Sequence, residues 1–212
     1  MLKKIIAQLL GFFVISIGIV GIIYSKFGAA PIDAFNYFVY TITPLSLGTV
    51  TVLSGVLVAI ICFIVERKWS ILFSVLFLFT VGIFVDLWKY IFDLLPQVWF
   101  EDLWVRIPLA LISLVFITFG VAITISTGLT MAPYEQMMLI IDRKVHNLGL
   151  SKMLIEGTFL LMAIFLGIYT KQLWDQVFIM TIVITLVNGP LSHQFVKLIK
   201  KNKKGEMMHE IK

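Results

Sequence analysis

Charge is what this sequence has least of. Asp, Glu, Lys and Arg together make up 14% of its 212 residues, against about a quarter in ordinary soluble domains. A soluble fold of this length has too little interior to hide the 60% of residues that are hydrophobic, so a soluble class is excluded. Cysteine is reduced to Cys62, which rules out a disulfide framework or a cysteine metal centre. Set in an apolar stretch, Cys62 reads as a small buried hydrophobe. HExxH, GxSxG and GxxxxGK[ST] are all missing, as is any cluster of Cys and His. These are the patterns that hold a zinc-activated water, an elbow nucleophile or a phosphate cradle. The nine methionines, among them Met137, Met138 and Met153, are scattered and read as core filling rather than a soft copper site. The expectation is therefore no enzyme, no catalytic residue, no metal and no cofactor.

What is present is apolar length. Charge-free stretches run over 5–25, 34–65, 69–85, 107–134, 157–170 and 176–196, and several reach the roughly 20 residues that a helix needs to cross the hydrocarbon. The spacing predicts six spans, at 5–25, 46–65, 70–94, 106–128, 151–169 and 174–197. Two shorter helices remain, 31–43 and 133–145, which at 1.5 Å per residue reach only about 20 Å and are too short to cross. The start, MLKKIIAQLL, has the basic and apolar regions of a signal peptide. Its apolar region is too long and Lys26 intervenes, so an uncleaved first span is expected.

With six crossings, Lys3, Lys4, Arg67, Lys68, Arg143, Lys144, Lys152 and the terminal lysines fall on one face. That face is expected to be cytoplasmic, with both termini inside. The other face receives Lys26, Glu101, Asp102, Arg106, Lys171 and Asp175, with Trp99, Trp104 and Trp174 as an interfacial belt. Five lysines between Lys197 and Lys204 give the tail a basic character that suits anionic lipid better than nucleic acid.

The chain also repeats. APID, with Pro31 and Asp33, matches APYE, with Pro133 and Glu135, at an offset of 102 residues. At that offset Gly18 matches Gly120 and Gly55 matches Gly157; with small insertions Trp69 matches Trp174 and the stretch 82–86 matches 189–193. The shared order indicates duplication. Each copy holds three crossings, an odd number, so the second enters the membrane from the opposite side. The fold class expected is all-α, a polytopic helical membrane protein of six transmembrane helices and two half-helices in two inverted-topology repeats. Residues 1–98 form the first repeat, 99–201 the second and 202–212 a cytoplasmic charged tail.

Inverted repeats are common in secondary transporters, whose sites lie near the midplane and use broken helices. Pro31 and Pro133 suit the first helical position, and Asp33 and Glu135 then fall where the helix dipole favours an acid. That is a complete structural reason for both acids; the alternative is that they line opposed vestibules and take up protons or cations. Glu156 stands within a span, one turn from Lys152, with which it can pair. An ionisable group there costs about 2.5–3.5 kcal/mol on insertion scales, so it faces a bundle interior or a cavity. Asp86 and His193 occupy equivalent places; Asp86 has Lys89 nearby as a partner, and His193 suits a solvated helix end. Asn36, Tyr40 and Asn188 offer neutral hydrogen bonds to a substrate or between helices. Gly11, Gly18, Gly21, Gly55 and Gly157 are expected to allow close helix approach.

The ordered set GAAPIDAF, LSLGTVTVLSG, VGIFVD, LTMAPYEQM, LSKMLIEG and VNGPLSH resembles the YczE/YyaS/YitT group of bacterial integral membrane proteins, most closely its YczE-like branch. The resemblance covers nearly the whole chain apart from the charged tail and implies a multi-pass protein of the bacterial plasma membrane. It also implies a Gly-x-x-Pro-x-Asp element, met by Gly28, Pro31 and Asp33, with Thr130 standing opposite Gly28 in the second copy. The family's arginine before the intramembrane glutamate is replaced here by Lys152 and Met153. The function expected is a small-solute permease or exporter, either uncoupled or proton-coupled, with the bilayer, a small molecule or a proton as partners and no nucleic acid. The alternative is a non-transporting membrane partner that regulates a cytoplasmic or biosynthetic enzyme complex through its basic face.

Overall fold

The computed structural model describes residues 1–129 and 132–209, so the last three residues of the expected tail lie outside the described residues. Its helices are α1 (Leu2–Ser25), α2 (Pro31–Ile42), α3 (Leu47–Glu66), α4 (Ser70–Asp93), α5 (Leu103–Thr127), α6 (Pro133–Val145), α7 (Leu148–Thr170), α8 (Leu173–Gln176) and α9 (Ile179–His209), with one 3₁₀ turn at Gln97–Glu101. Six of the resulting segments are long and apolar enough to cross a membrane: Leu2–Ser25, Leu47–Glu66, Ser74–Asp93, Leu103–Thr127, Gly149–Thr170 and Leu173–Ile199. The protein is an all-α polytopic membrane protein. The sixth segment is broken at Val177 and Phe178 rather than continuous, and its helix runs on to His209 through the start of the charged tail.

Helix ends follow local chemistry. Ser46 and Asn147 cap α3 and α7 by accepting the N–H groups of Thr49 and Leu150, and Asp102 caps α5 through Trp104 N–H, each satisfying a donor the helix itself cannot. Pro31 and Pro133 open α2 and α6, where a missing N–H costs nothing.

The bundle is centred on α1 against α5. Gln8 meets Thr127, Gly11 meets Gly120 and Thr124, and Gly21 meets Ser113, so the two helices run antiparallel. Their closest approach is reciprocal. A Cβ on Gly18 would lie 2.7 Å from Ile117 Cγ1 and 2.8 Å from Ser113 O, and one on Gly120 would lie 2.7 Å from Ile15 Cγ1 and 2.8 Å from Gly11 O. Gly18 and Gly120, Ile15 and Ile117, and Gly11 and Ser113 are all pairs at the 102-residue offset. Such mutual pairing is what an interface about a two-fold axis requires.

α4 runs parallel to α1, since Phe12 touches Phe77, Ser16 reaches Val81 O and Tyr24 hydrogen-bonds Asp93. α3 is antiparallel to α4, with Gly48 against Gly82, Gly55 against Leu78 and Phe63 against Trp69. The start of α1 and the ends of α3, α5 and α6 consequently share one face of the bundle, here called the terminal face. Lys3, Lys4, Arg67, Lys68, Arg143 and Lys144 all lie at that face.

The extended link between α1 and α2 is tied to the break before α9: Ala29 N–H donates to Gln176 O at 2.8 Å and Met180 N–H to Phe27 O at 2.9 Å. Gly28 adopts φ +102°, and a Cβ there would lie 2.7 Å from Phe178 N. Only glycine allows this pairing, which satisfies backbone groups that bilayer hydrocarbon would leave unbonded.

Candidate functional site

The two short helices do not cross the bundle. Tyr134, the second residue of α6, shares a 2.9 Å hydrogen bond with Ser54, which at 1.5 Å per residue stands about 10 Å along the 20-residue α3. Lys144, near the far end of α6, lies by Val65, near the end of α3. So α6 starts near the middle of the bundle and ends at the terminal face. α2 does the converse along α7, with Phe35 against Phe159 and Phe38 against Gly167.

The two starts come together at one residue. Phe159 packs edge-on against Phe35 of α2 at 5.5 Å and against Tyr134 of α6 at 5.6 Å. Ile32, Ile155, Val58, Ala59 and Cys62 fill the space around them. Asp33 stands in the first turn of α2 and Glu135 in that of α6, so both acids are carried inward to this meeting point, where the positive ends of two helix dipoles also face.

The polar groups here are incompletely partnered. Asp33 is half-buried and has no hydrogen bond or ion pair among the described residues; the phenol of Tyr134 lies within reach of its charge. One turn on, Asn36 is 1% exposed and neither its Nδ2 nor its Oδ1 has a hydrogen-bond partner. Lys152 joins the other two acids: its Nζ is 3.5 Å from Glu156 Oε1, and its charge also acts on Glu135. Glu156 Oε2 is buried without a hydrogen bond, with Thr185 of α9 the polar side chain beside it. Buried polar atoms without a partner are rare in native structures, and each calls for a specific explanation.

Next to Glu156 the helix packing is sparser. Gly55 and Gly82 hold α3 against α4 through Leu78 and Val52, but a Cβ on Gly157 or Gly189 would meet nothing within 4 Å. α7 and α9 lack the length of contact that joins α3 to α4. The expectation that Gly157 packs closely is thus corrected: a Cβ there would meet no neighbour, and α9 reaches Glu156 through the side chain of Thr185.

Other sequence candidates are placed elsewhere. Asp86 does not pair with Lys89. Its Oδ1 accepts Gly48 N–H at 2.7 Å and its Oδ2 accepts Ser46 Oγ–H at 2.6 Å, closing the N-terminus of α3. Lys89 pairs with Asp93 at 2.6 Å and lies over the Tyr40 ring at 5.2 Å, which accounts for Tyr40 as well. Asn188 is bonded to Ser192 at 3.1 Å, and His193 is exposed on α9. Sequence reasoning overlooked Phe159 and Gln176. An aromatic ring inside an apolar run carries no signal, and Gln176, whose Nε2 donates to Ile23 O at 3.1 Å, enters the sequence reading only as the first residue of a charge-free stretch. Among the described residues no group of three or more His, Cys, Asp and Glu could hold a metal ion.

Residues 2–197 match the model of a family of unknown function, DUF6198. The chain belongs to that family. It is 29% identical over 202 residues to the uncharacterized protein YyaS of Bacillus subtilis (strain 168), covering 92% of this chain and 96% of that protein. It is also 26% identical over 117 residues to the uncharacterized membrane protein YczE of the same organism, covering 55% of this chain and 52% of that protein. No solved structure matches. The resemblance read from the ordered set of motifs thus extends to two named relatives, one of them described as a membrane protein.

Proposed function

We propose that this DUF6198 protein is a small-solute transporter of the bacterial plasma membrane, coupled to protons, with both termini in the cytoplasm. The observation that carries the reading is the meeting of the α2 and α6 starts at Phe159, which brings Asp33 and Glu135 to the middle of the bundle from opposite faces. Half-helices with inward N-termini at a repeat interface are a recurring construction of transporter sites. The reciprocal packing of Gly18 on Ile117 and Gly120 on Ile15 supports two inverted repeats, 1–98 and 99–201, as its architecture. The cationic side chains gathered on the terminal face support the orientation.

The pathway is assigned to Asp33, Asn36, Glu135 and Glu156, with Lys152 as the internal counter-charge. Solute reaches them between α7 and α9, while the tight seam of α3 and α4 closes the opposite route. Reversal of these two seams is the alternating step.

The test is flux. Purified protein in liposomes should accumulate or release candidate solutes under an imposed pH gradient, and Glu156→Gln should abolish this while Lys171→Gln, on the other face, should not. Equal flux in wild type and Glu156→Gln removes the carboxylate from the mechanism. Gradient-independent absence of flux, together with a stable enzyme partner on the basic face, would favour the non-transporting reading.

A further inference from the structure

We propose that the α3–α6 seam at the terminal face is a binding site for an anionic phospholipid, with the phosphodiester held by Lys144, Lys68 and Arg143 and an acyl chain lying in the adjoining apolar hollow. Two hollows meet there. One, of about 230 Å³, is walled by Ile61, Cys62, Met137 and Ile141. The other, of about 340 Å³, is walled by Glu66, Lys68 and Arg143. Val65, Ile140 and Lys144 line both, so the space is continuous, apolar toward the bundle and basic at its mouth.

Charge selects the occupant. Glu66, whose side chain is 11% exposed, is the acid of the basic hollow; it takes Lys68 at 3.0 Å and Arg143 at 2.5 Å. Lys144 has no ion-pair partner among the described residues and is exposed at the boundary of the two hollows. Three cations facing one carboxylate leave net positive charge for a phosphodiester. The outer parts of Lys68 and Arg143 stay accessible, at 58% and 62% side-chain exposure, so both can bond an added phosphate without releasing Glu66.

The apolar half argues for a lipid rather than a free anion. α3 and α6 both end here, so the mouth lies at the level of lipid headgroups while Ile61 and Met137 lie one to two turns deeper, at the level of the chains. A basic recess between helix ends is a recurrent form of headgroup site. The site is separate from Asp33, Glu156 and Lys152, and its occupancy does not depend on transport.

Native mass spectrometry of the full-length chain in neutral detergent, given equal amounts of dioleoyl phosphatidylglycerol and dioleoyl phosphatidylcholine, tests this. Phosphatidylglycerol should be retained preferentially, and Lys144→Gln should reduce that preference by about fivefold, the effect of one basic residue at a membrane surface. Lys171→Gln should leave it unchanged. Because Lys144 has no ion-pair partner among the described residues, its removal should leave the fold intact, which a matched thermal melt checks. Equal retention of the two lipids overturns the proposal, and so does a preference indifferent to Lys144→Gln. Displacement of the lipid by excess inorganic phosphate also overturns it, because the apolar hollow would then contribute nothing.

Discussion

Asp86 accepts the backbone N–H of Gly48 at 2.7 Å, tying the middle of α4 to the first turn of α3. The bond can form because the two helices touch backbone to backbone: a Cβ on Gly48 would lie 2.0 Å from Gly82 O. The acid thus acts as an N-cap supplied from another helix, reinforced by Ser46. Asp86→Ala should lower stability in detergent by about 1–2 kcal/mol, the usual worth of a cap, read as a drop in thermal midpoint. Lys89→Met, which loses the half-exposed Asp93 pair and the cation over the Tyr40 ring, should cost less. Equal effects would mean that Asp86 serves no cap.

Gly48 and Gly157, one in each half, should respond oppositely to a methyl group. Gly48→Ala forces α3 and α4 apart and should cost about 1–3 kcal/mol as an overpacking change. Gly157→Ala projects into open space and should be neutral or slightly stabilising, since alanine favours helix over glycine. Thermal melts of both variants side by side check the contrast. Comparable losses would show that α7 is closed on α9 in the bilayer.

Some of these relationships are legible in residue order and others are not. Pro31 and Pro133 declare the starts of α2 and α6 because proline fixes φ and lacks an N–H, and both helices end within one residue of expectation. Span number was legible because hydrocarbon imposes a length on apolar runs. The partner of Asp86 was not legible. Spacing put Lys89 near it, whereas the real partner, Ser46, lies 40 positions away and is brought close only by packing. Gly157 likewise matches Gly55 in the chain, but separation between helices belongs to the fold as a whole. Glu156 and Lys152 were legible as a pair because four residues on a helix place both on one face.

That pair should show strong non-additivity. Lys152→Met leaves Glu156 and Glu135 without their shared cation; because the Lys152 and Glu156 side chains are 35% and 18% exposed, the loss should fall below the about 3–5 kcal/mol of a fully buried pair. Lys152→Met combined with Glu156→Gln removes both charges and should regain much of that loss. A double-mutant cycle measured by thermal unfolding should give an interaction of about 1–3 kcal/mol. Simple additivity would mean that the two charges are independently solvated.

Tyr134 and Ser54 carry the corresponding contact for α6. Tyr134→Phe removes the hydroxyl but keeps the ring against Phe159, so stability should fall by only about 0.5–1.5 kcal/mol. Because that hydroxyl fixes the depth at which α6 begins, flux should fall more steeply than stability. Tyr134→Ala, which also removes the ring that Phe159 packs against, should be destabilising by about 3–5 kcal/mol. Unaltered flux in Tyr134→Phe would argue that the start of α6 is held by packing alone.

Orientation can be read with the cysteine that the chain almost lacks. Cys62 is buried, so a Cys62→Ser background should be silent toward a membrane-impermeant maleimide added to intact cells. Arg67→Cys and Lys171→Cys then report the two faces, because each sits at a left-handed helix end, at φ 54° and φ 60°, outside its span. Lys171→Cys should label in intact cells and Arg67→Cys only after lysis, as expected when the basic face is cytoplasmic. The reverse pattern would invert the protein in the membrane and remove the charge argument for its orientation. Labelling of both sites in intact cells would contradict an odd number of crossings between them, since α4, α5 and α7 separate Arg67 from Lys171 while α6 turns back without crossing.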